Sequence, residues 1–332
     1  MIYVMIAIGF VTAYINGMHD GGTVVATSVT ARIMAPRAAV VWSGICNFIG
    51  GVTLGTAVAY TVGADMIDAD RILGAGERAA CLFIIAAFLG SMAWNIVTWI
   101  VKLPSSASHS LMGSLVGCMV CACGAGAVHW NAFMIKVVAA MVLSPVLGFV
   151  FGWVLQKLEQ RLLRRATMVW DRRIRILDIV TTMFVSLTHG SNDAQKVIGL
   201  TAIGICAARG TGLSMDLWLI IMMSAGIALG TMTGGFNMIG TLGRGIVKMN
   251  VDRSFTSHLS AAAVMEIANV LGLPVSSTQV LTGTVIGVGT EDRPRSVNWG
   301  ILKNIAASWI LMLPASGLMG YLVYFGLSRA LL

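Results

Sequence analysis

Two aspartates stand where hydrocarbon is expected. Asp20 and Asp193 each interrupt an otherwise apolar stretch, and a carboxylate near the centre of a bilayer costs about 3 kcal/mol on insertion scales. Such a group needs a partner, and the chemistry it offers is to hold a coupling cation or a proton beside a substrate. The alternative is a helix cap in a loop, because Gly17, Gly21, Gly22 and Gly190 permit a break there. Two further segments, Leu103-Pro-Ser-Ser-Ala-Ser-His109 and Leu273-Pro-Val-Ser-Ser-Thr-Gln279, carry hydroxyls behind a proline. Each proline lacks an amide hydrogen and restricts the residue before it, so it is expected to end one helix and open a tight re-entrant turn. That leaves Ser105, Ser106, Ser108, Ser276, Ser277 and Thr278 at the start of a new half-helix. Hydroxyls so placed either cap the helix or aim donors at a ligand, and free amides with the helix dipole attract an anion. Two such ends facing each other near midplane would suit a small, highly charged oxyanion.

Both motifs occur twice. Asn16-Gly-Met-His-Asp20 is echoed by His189-Gly-Ser-Asn-Asp193, and 84 residues separate Asp20 from Pro104 while 81 separate Asp193 from Pro274. Two unlike motifs in the same order at nearly equal separation imply an internal duplication.

The elements that must position these residues are membrane helices. The 332 residues are 57% hydrophobic and 11% charged, with a mean hydropathy of +0.85, whereas soluble domains carry about a quarter charged residues. A water-soluble fold is excluded. Ala79 to Val101, Phe133 to Leu155 and Leu217 to Leu242 each reach the roughly 20 residues needed to cross about 30 Å of hydrocarbon. The opening segment has no basic n-region or clear cleavage site and reads as a retained crossing. The 38 glycines and six prolines suggest close helix contacts and broken helices. All six cysteines lie in apolar segments, and Cys118-x-x-Cys121 without a second pair reads as packing.

The net charge of +8 is read by position, and nucleic acid is not implied. The densest basic run, Lys157 to Arg175, marks a cytoplasmic segment. Working outward from it, Arg32, Arg37 and Lys102 fall inside, and Asp65, Asp68, Asp70 and His129 outside. In the second half Arg244, Lys248, Arg253 and the Glu291 to Arg295 turn fall inside, and Arg209 and Gly272 outside. The expected architecture is an all-α polytopic membrane protein of two inverted-topology repeats of about five crossings each, with broken helices and re-entrant Pro-Ser hairpins. Residues 1–156 form the first repeat, 157–175 the basic linker and 176–332 the second repeat. Both termini fall outside a multi-pass inner, or plasma, membrane.

The segments Asn16 to Arg32, Leu103 to Gly117, His189 to Leu200 and Gly272 to Gly289 resemble the PiT inorganic phosphate transporters, whose repeats carry Gly-Ala-Asn-Asp-x-Ala-Asn and Pro-x-Ser-x-Thr-His signatures. The resemblance spans essentially the whole chain. It implies phosphate symport, with the aspartates near the cation sites and the Pro-Ser hairpins cradling phosphate. Several positions depart from the family pattern. His19 and Thr23 replace both asparagines of the first signature. In the second, Asn192 is kept, Gln195 follows, and Lys196 stands where the pattern has Asn. An ammonium there can occupy the place of a sodium ion and satisfy Asp193. Where sodium-coupled members carry a glutamate, the two repeats have Asn47 and His258. His19 and His258, with ordinary pKa values of about 6.5, offer groups for proton coupling, or serve as structural hydrogen-bonders. These features resemble the bacterial proton-coupled, low-affinity branch, which is associated with neutral metal-phosphate complexes. A divalent metal would then travel with the substrate, no metal site in the chain is assigned, and no cofactor is implied.

Secondary candidates complete the expected site. His109 keeps the family histidine of the first hairpin, Gln279 replaces its counterpart, and Glu266 is a carboxylate on the helix before the second hairpin. Lys102 reads as an interface anchor. Three functional readings remain: a proton-coupled phosphate symporter; the same fold coupled to sodium or carrying sulfate; and an intramembrane hydrolase using Ser106, His109 and Asp20. The last is disfavoured because the second half repeats the serine and aspartate without the histidine. The expected partners are phosphate, the coupling ion, the bilayer and, compatibly with this kind of fold, a second copy of the chain.

Overall fold

The computed structural model describes residues 1–62, 76–101, 105–164, 168–211, 214–236, 239, 245–292 and 294–331. The described residues form an all-helical fold. The principal helices are α1 (Ile2–Thr30), α2 (Pro36–Thr53), the single turn α3 (Ala57–Tyr60), α4 (Glu77–Ile100), α5 (Ala107–Cys123) and α6 (Trp130–Leu162). They continue with α7 (Met168–Arg209), α8 (Leu217–Gly234), α9 (Val251–Val270), α10 (Ser277–Asp292) and α11 (Trp299–Leu331). Five of them, α1, α4, α6, α8 and α11, are long and apolar enough to cross a membrane. With the multi-helix pattern this makes the chain a multi-pass membrane protein.

Burial follows the logic of a lipid solvent. Ile100, Ile135, Leu162, Ile310 and Leu311 are exposed, while Lys196 is as buried as Phe88. Side chains that would drive aggregation in water instead face hydrocarbon, and the polar ones gather inside.

Helix packing pairs elements in a consistent pattern. α1 lies on α8, and α7 on α2; α4 lies on α1, and α9 on α7. α5 lies against α11, and α10 against α6. Small residues set these distances. A Cβ on Gly17 would strike the Ile227 carbonyl on α8, and one on Gly190 would strike the Asn47 backbone on α2.

That contact decides between two readings. The alternative of a helix break at the glycine-rich aspartate motifs falls, because α1 and α7 run straight through them and the glycines there serve close approach. Pro145 and Pro314 likewise lie inside continuous helices. An interruption does occur before α10, where Gly272 adopts φ +65° and the chain is non-helical from 273 to 276. Pro104, Lys102, Asp65, Asp68, Asp70, Arg165 and Arg244 lie outside the described residues. The basic segment is more helical than a linker suggests, since α6 ends at Leu162 and α7 begins at Met168.

Candidate functional site

The site is assembled by the amino ends of α5 and α10 meeting the middles of α1 and α7. Ser106 caps α5, its hydroxyl accepting from the His109 amide at 3.3 Å. Ser276 does the same for Gln279 at 3.3 Å. Capping and ligand presentation are thus divided among neighbouring hydroxyls rather than alternatives.

The start of α5 reaches both aspartates. The Ala107 amide donates to Asp20 Oδ2 at 3.3 Å, so an anion already occupies this helix terminus, as its dipole favours. The next residue, Ser108, donates to Asp193 Oδ1 at 3.2 Å. Asp20 Oδ1 also accepts from Thr278 of α10 at 3.2 Å and lies 2.8 Å from His19 Nδ1. The far ring nitrogen of His19 is 3.2 Å from Thr98 Oγ1, which accepts from Ser105 at 3.0 Å.

Lys196 closes the second half of the site. Its ammonium donates to Asp193 Oδ1 at 2.8 Å, to Ser108 Oγ at 2.5 Å and to the Val275 carbonyl at 2.9 Å. Three hydrogens meet three acceptors, which is the full capacity of a lysine. His189 Nδ1 stands 3.5 Å from Asp193 Oδ2. Ser277 Oγ, Asn192 Oδ1 and both amide atoms of Gln279 are buried without a hydrogen-bond partner among the described residues, which leaves donors and acceptors at the start of α10 available to a polar ligand.

Other candidates lie elsewhere. Asn192 donates to Asn269 and to the Leu273 carbonyl, tying α7 to α9 and its turn. Thr23 spends its hydroxyl on the Asp20 carbonyl at 2.6 Å. Gln195 accepts from the Val58 amide at the start of α3 at 2.8 Å. Asn47 donates to Thr231 of α8 at 2.9 Å, and Glu266 Oε2 has no hydrogen-bond partner among the described residues. His258 belongs to a separate cluster with Asp178. His109 Nδ1 lies 3.0 Å from Ser106 Oγ, but Asp20 pairs with His19, so the hydrolase arrangement has no orienting carboxylate.

Sequence reading missed the polar face of α4. Ser91, Asn95 and Thr98 share one side of the helix at spacings of four and three residues. Asn95 donates to Asn16 at 3.1 Å and accepts from Ser110 at 2.7 Å. Lone polar residues at helical spacing within an apolar run were the signal.

The family model of the phosphate transporter family, PHO4, matches residues 16–174 and 164–320. The chain belongs to that family. Its relatives include a low-affinity inorganic phosphate transporter of Rhizobium meliloti, 36% identical over 97% of this chain and 95% of the relative. One of the same description from Bacillus subtilis is 33% identical over 94% and 92%. A solved structure titled the sodium-dependent phosphate transporter superposes with a TM-score of 0.90 over 99% of both chains at 24% identity, which shows a shared fold. Membership retires the hydrolase reading, since the family is one of transporters rather than enzymes.

Proposed function

We propose that the chain imports inorganic phosphate together with protons, by alternating access at the site between α1, α5, α7 and α10. The observation that carries this reading is the Lys196 ammonium seated among a carboxylate, a hydroxyl and a backbone carbonyl oxygen. That oxygen set would serve a sodium ion equally well, and a tethered ammonium there makes sodium unnecessary. Asp20 has His19 as its side-chain nitrogen partner, a ring that can carry a proton on either nitrogen or on both. Phosphate would take its donors from the α5 and α10 starts, including Ser105, Ser108, Ser277 and Thr278, and compete with the Asp20 carboxylate for the end of α5.

The fold reading belongs with this proposal. Exchanging α1 for α7, α2 for α8, α4 for α9, α5 for α10 and α6 for α11 maps every pairing described above onto another. Two inverted repeats, 1–156 and 176–332, joined by a cytoplasmic basic segment at 157–175, account for that exchange. Both termini then lie outside a bacterial-type inner membrane, and the two hairpins enter from opposite faces.

The test is labelled phosphate uptake into proteoliposomes under an inward proton gradient, a sodium gradient or neither, with unlabelled sulfate as competitor. Uptake driven by protons and indifferent to sodium and sulfate is expected. Sodium-driven uptake would overturn the coupling assignment, and sulfate transport without phosphate transport would overturn the substrate.

A further inference from the structure

A second buried acid-base pair lies well away from the substrate site. Asp178 stands on α7 fifteen residues before Asp193, about 22 Å along the helix axis, and beside the basic start of that helix. Both Asp178 and His258 are fully buried. The histidine, from α9, reaches three elements. Its Nε2 faces the Val24 carbonyl of α1 at 2.9 Å and Thr27 Oγ1 at 2.8 Å. Its Nδ1 faces Asp178 Oδ1 at 3.0 Å and Thr182 Oγ1 at 3.0 Å, both on α7.

The hydrogen count of this cluster is constrained. A carbonyl oxygen only accepts, whereas the Thr27 hydroxyl can donate or accept, so Nε2 either takes a hydrogen from Thr27 or, when protonated, gives one to Val24. The Thr182 hydroxyl already donates to the Asp178 carbonyl at 2.7 Å, and Ser254 donates to Asp178 Oδ1 at 2.8 Å. Nδ1 therefore faces only acceptors, and a hydrogen lies between it and Asp178. A further proton on Nε2 has the Val24 carbonyl as its acceptor and would set a cationic ring against Asp178. Without it the Asp178 carboxylate is a buried charge beside a neutral ring. Asp178 Oδ2 has no hydrogen-bond partner among the described residues.

The surrounding titratable groups have other engagements. Glu159 of α6 accepts from Thr256 at 2.9 Å, Arg175 of α7 pairs with Asp171 at 2.9 Å, and Arg253 of α9 donates to the Lys248 carbonyl at 2.6 Å. Asp20 on α1 is held by His19. Asp252 and Glu266 on α9, Arg172 and Arg173 on α7 and Glu291 on α10 are further titratable groups on these helices.

We propose that Asp178 and His258 form a proton-binding site separate from the substrate site, whose proton clasps α1, α7 and α9 together and is exchanged in each transport cycle. This rests on the reading of the chain as a proton-coupled transporter. Thr27 lies seven residues beyond Asp20 on α1, about 10 Å along the helix, so loss of the proton releases the very helix that carries a substrate-site carboxylate.

The experiment uses the full chain in proteoliposomes, reading labelled phosphate accumulation and proton entry by an entrapped pH dye. The variants are Asp178→Asn/His258→Gln, which keeps hydrogen bonds without charge, and His258→Lys, which keeps a cation without a proton exchangeable near neutrality. Exchange of labelled for unlabelled phosphate at equal pH identifies the variants that are folded. A gradient of one pH unit supports about tenfold accumulation per coupled proton, so removing one proton lowers the accumulation ratio by about tenfold. That loss, with a matching drop in proton entry, is expected in both variants. A purely structural clasp would be restored by His258→Lys, and wild-type accumulation and proton entry in that variant would overturn the proposal. Phosphate uptake by the unmodified protein with no proton entry would overturn it directly. No phosphate movement at all under any gradient would instead defeat the functional reading.

Discussion

Replacing Lys196 by asparagine tests the central electrostatic claim. The ammonium is 1% exposed and spends its three hydrogens on Asp193, Ser108 and the Val275 carbonyl. Removing it leaves the Asp193 carboxylate buried without its cation. Breaking a buried pair in this way costs about 3 kcal/mol or more, a factor of about 150 in the population of the intact site. In sodium-free medium Lys196→Asn should therefore lose proton-driven phosphate uptake. The three oxygens that held the ammonium remain, and the asparagine carbonyl can add a fourth. A sodium ion entering there at about a hundred times its dissociation constant returns about 2.7 kcal/mol, most of the loss.

The assay compares proteoliposome uptake with sodium or choline outside under the same pH gradient, alongside thermal unfolding in detergent with each cation. Saturable rescue by sodium, with a sodium-dependent rise in unfolding temperature absent from the parent protein, is expected. Lys196→Met, which offers no oxygen, should stay inactive in both media. Unchanged uptake by Lys196→Asn in choline, with no response to sodium, would show that the ammonium does not hold a cation's place.

Other perturbations follow from the same geometry. Asp20→Asn and Asp193→Asn should each abolish uptake while leaving membrane insertion intact, checked by transport and by protein recovered in the membrane; normal transport by both would sink the site. Ser106→Ala and Ser276→Ala should each destabilise by about 1 kcal/mol as lost helix caps, read as lower unfolding temperatures of similar size; a large fall for one alone would break the equivalence of the two helix starts. Gly17→Leu should fail to give monodisperse protein because its side chain meets the Ile227 carbonyl of α8, whereas Gly126→Ala, with open space around it, should behave as the parent in size-exclusion chromatography.

Much of the site was legible in the sequence because membrane burial makes polar residues conspicuous. Asp20, Asp193, Lys196, Ser108 and Thr278 stood out as polar groups in apolar runs, and the structure brings them together. The helical continuity of α1 and α7 was not legible, because glycine signals both a break and a close contact, and only the helix lying across Gly17 and Gly190 decides which. The division of labour among the hairpin hydroxyls was hidden for a similar reason. Ser106 and Ser276 cap, while Ser108 and Thr278 reach carboxylates, and that difference depends on helix phase rather than residue type. Asp178 was overlooked because it follows a basic run and reads there as one more interfacial charge, although its partners come from α9, 76 and 80 residues away.

Asp20, Asp178 and Asp193, the buried aspartates among the described residues, differ in what faces them, and that difference suggests an order to the cycle. Asp193 faces a lysine whose three hydrogens are all given to acceptors. Asp20 and Asp178 face histidines, rings that can carry a proton on either nitrogen or on both. A highly charged oxyanion entering a dry site must be balanced there, and Lys196 alone is already balanced by Asp193. On the proton-coupled reading proposed above, the extra positive charge arrives with the substrate, and His19, 2.8 Å from Asp20 and on the helix that meets the start of α5, is the group placed to receive it. On the same proposal, protonation at Asp178 and His258 clasps α1 to α7 and α9 about 10 Å further along that helix. On this reading phosphate and protons are linked through α1, which touches both acid-base pairs and supplies the carboxylate that the anion must displace.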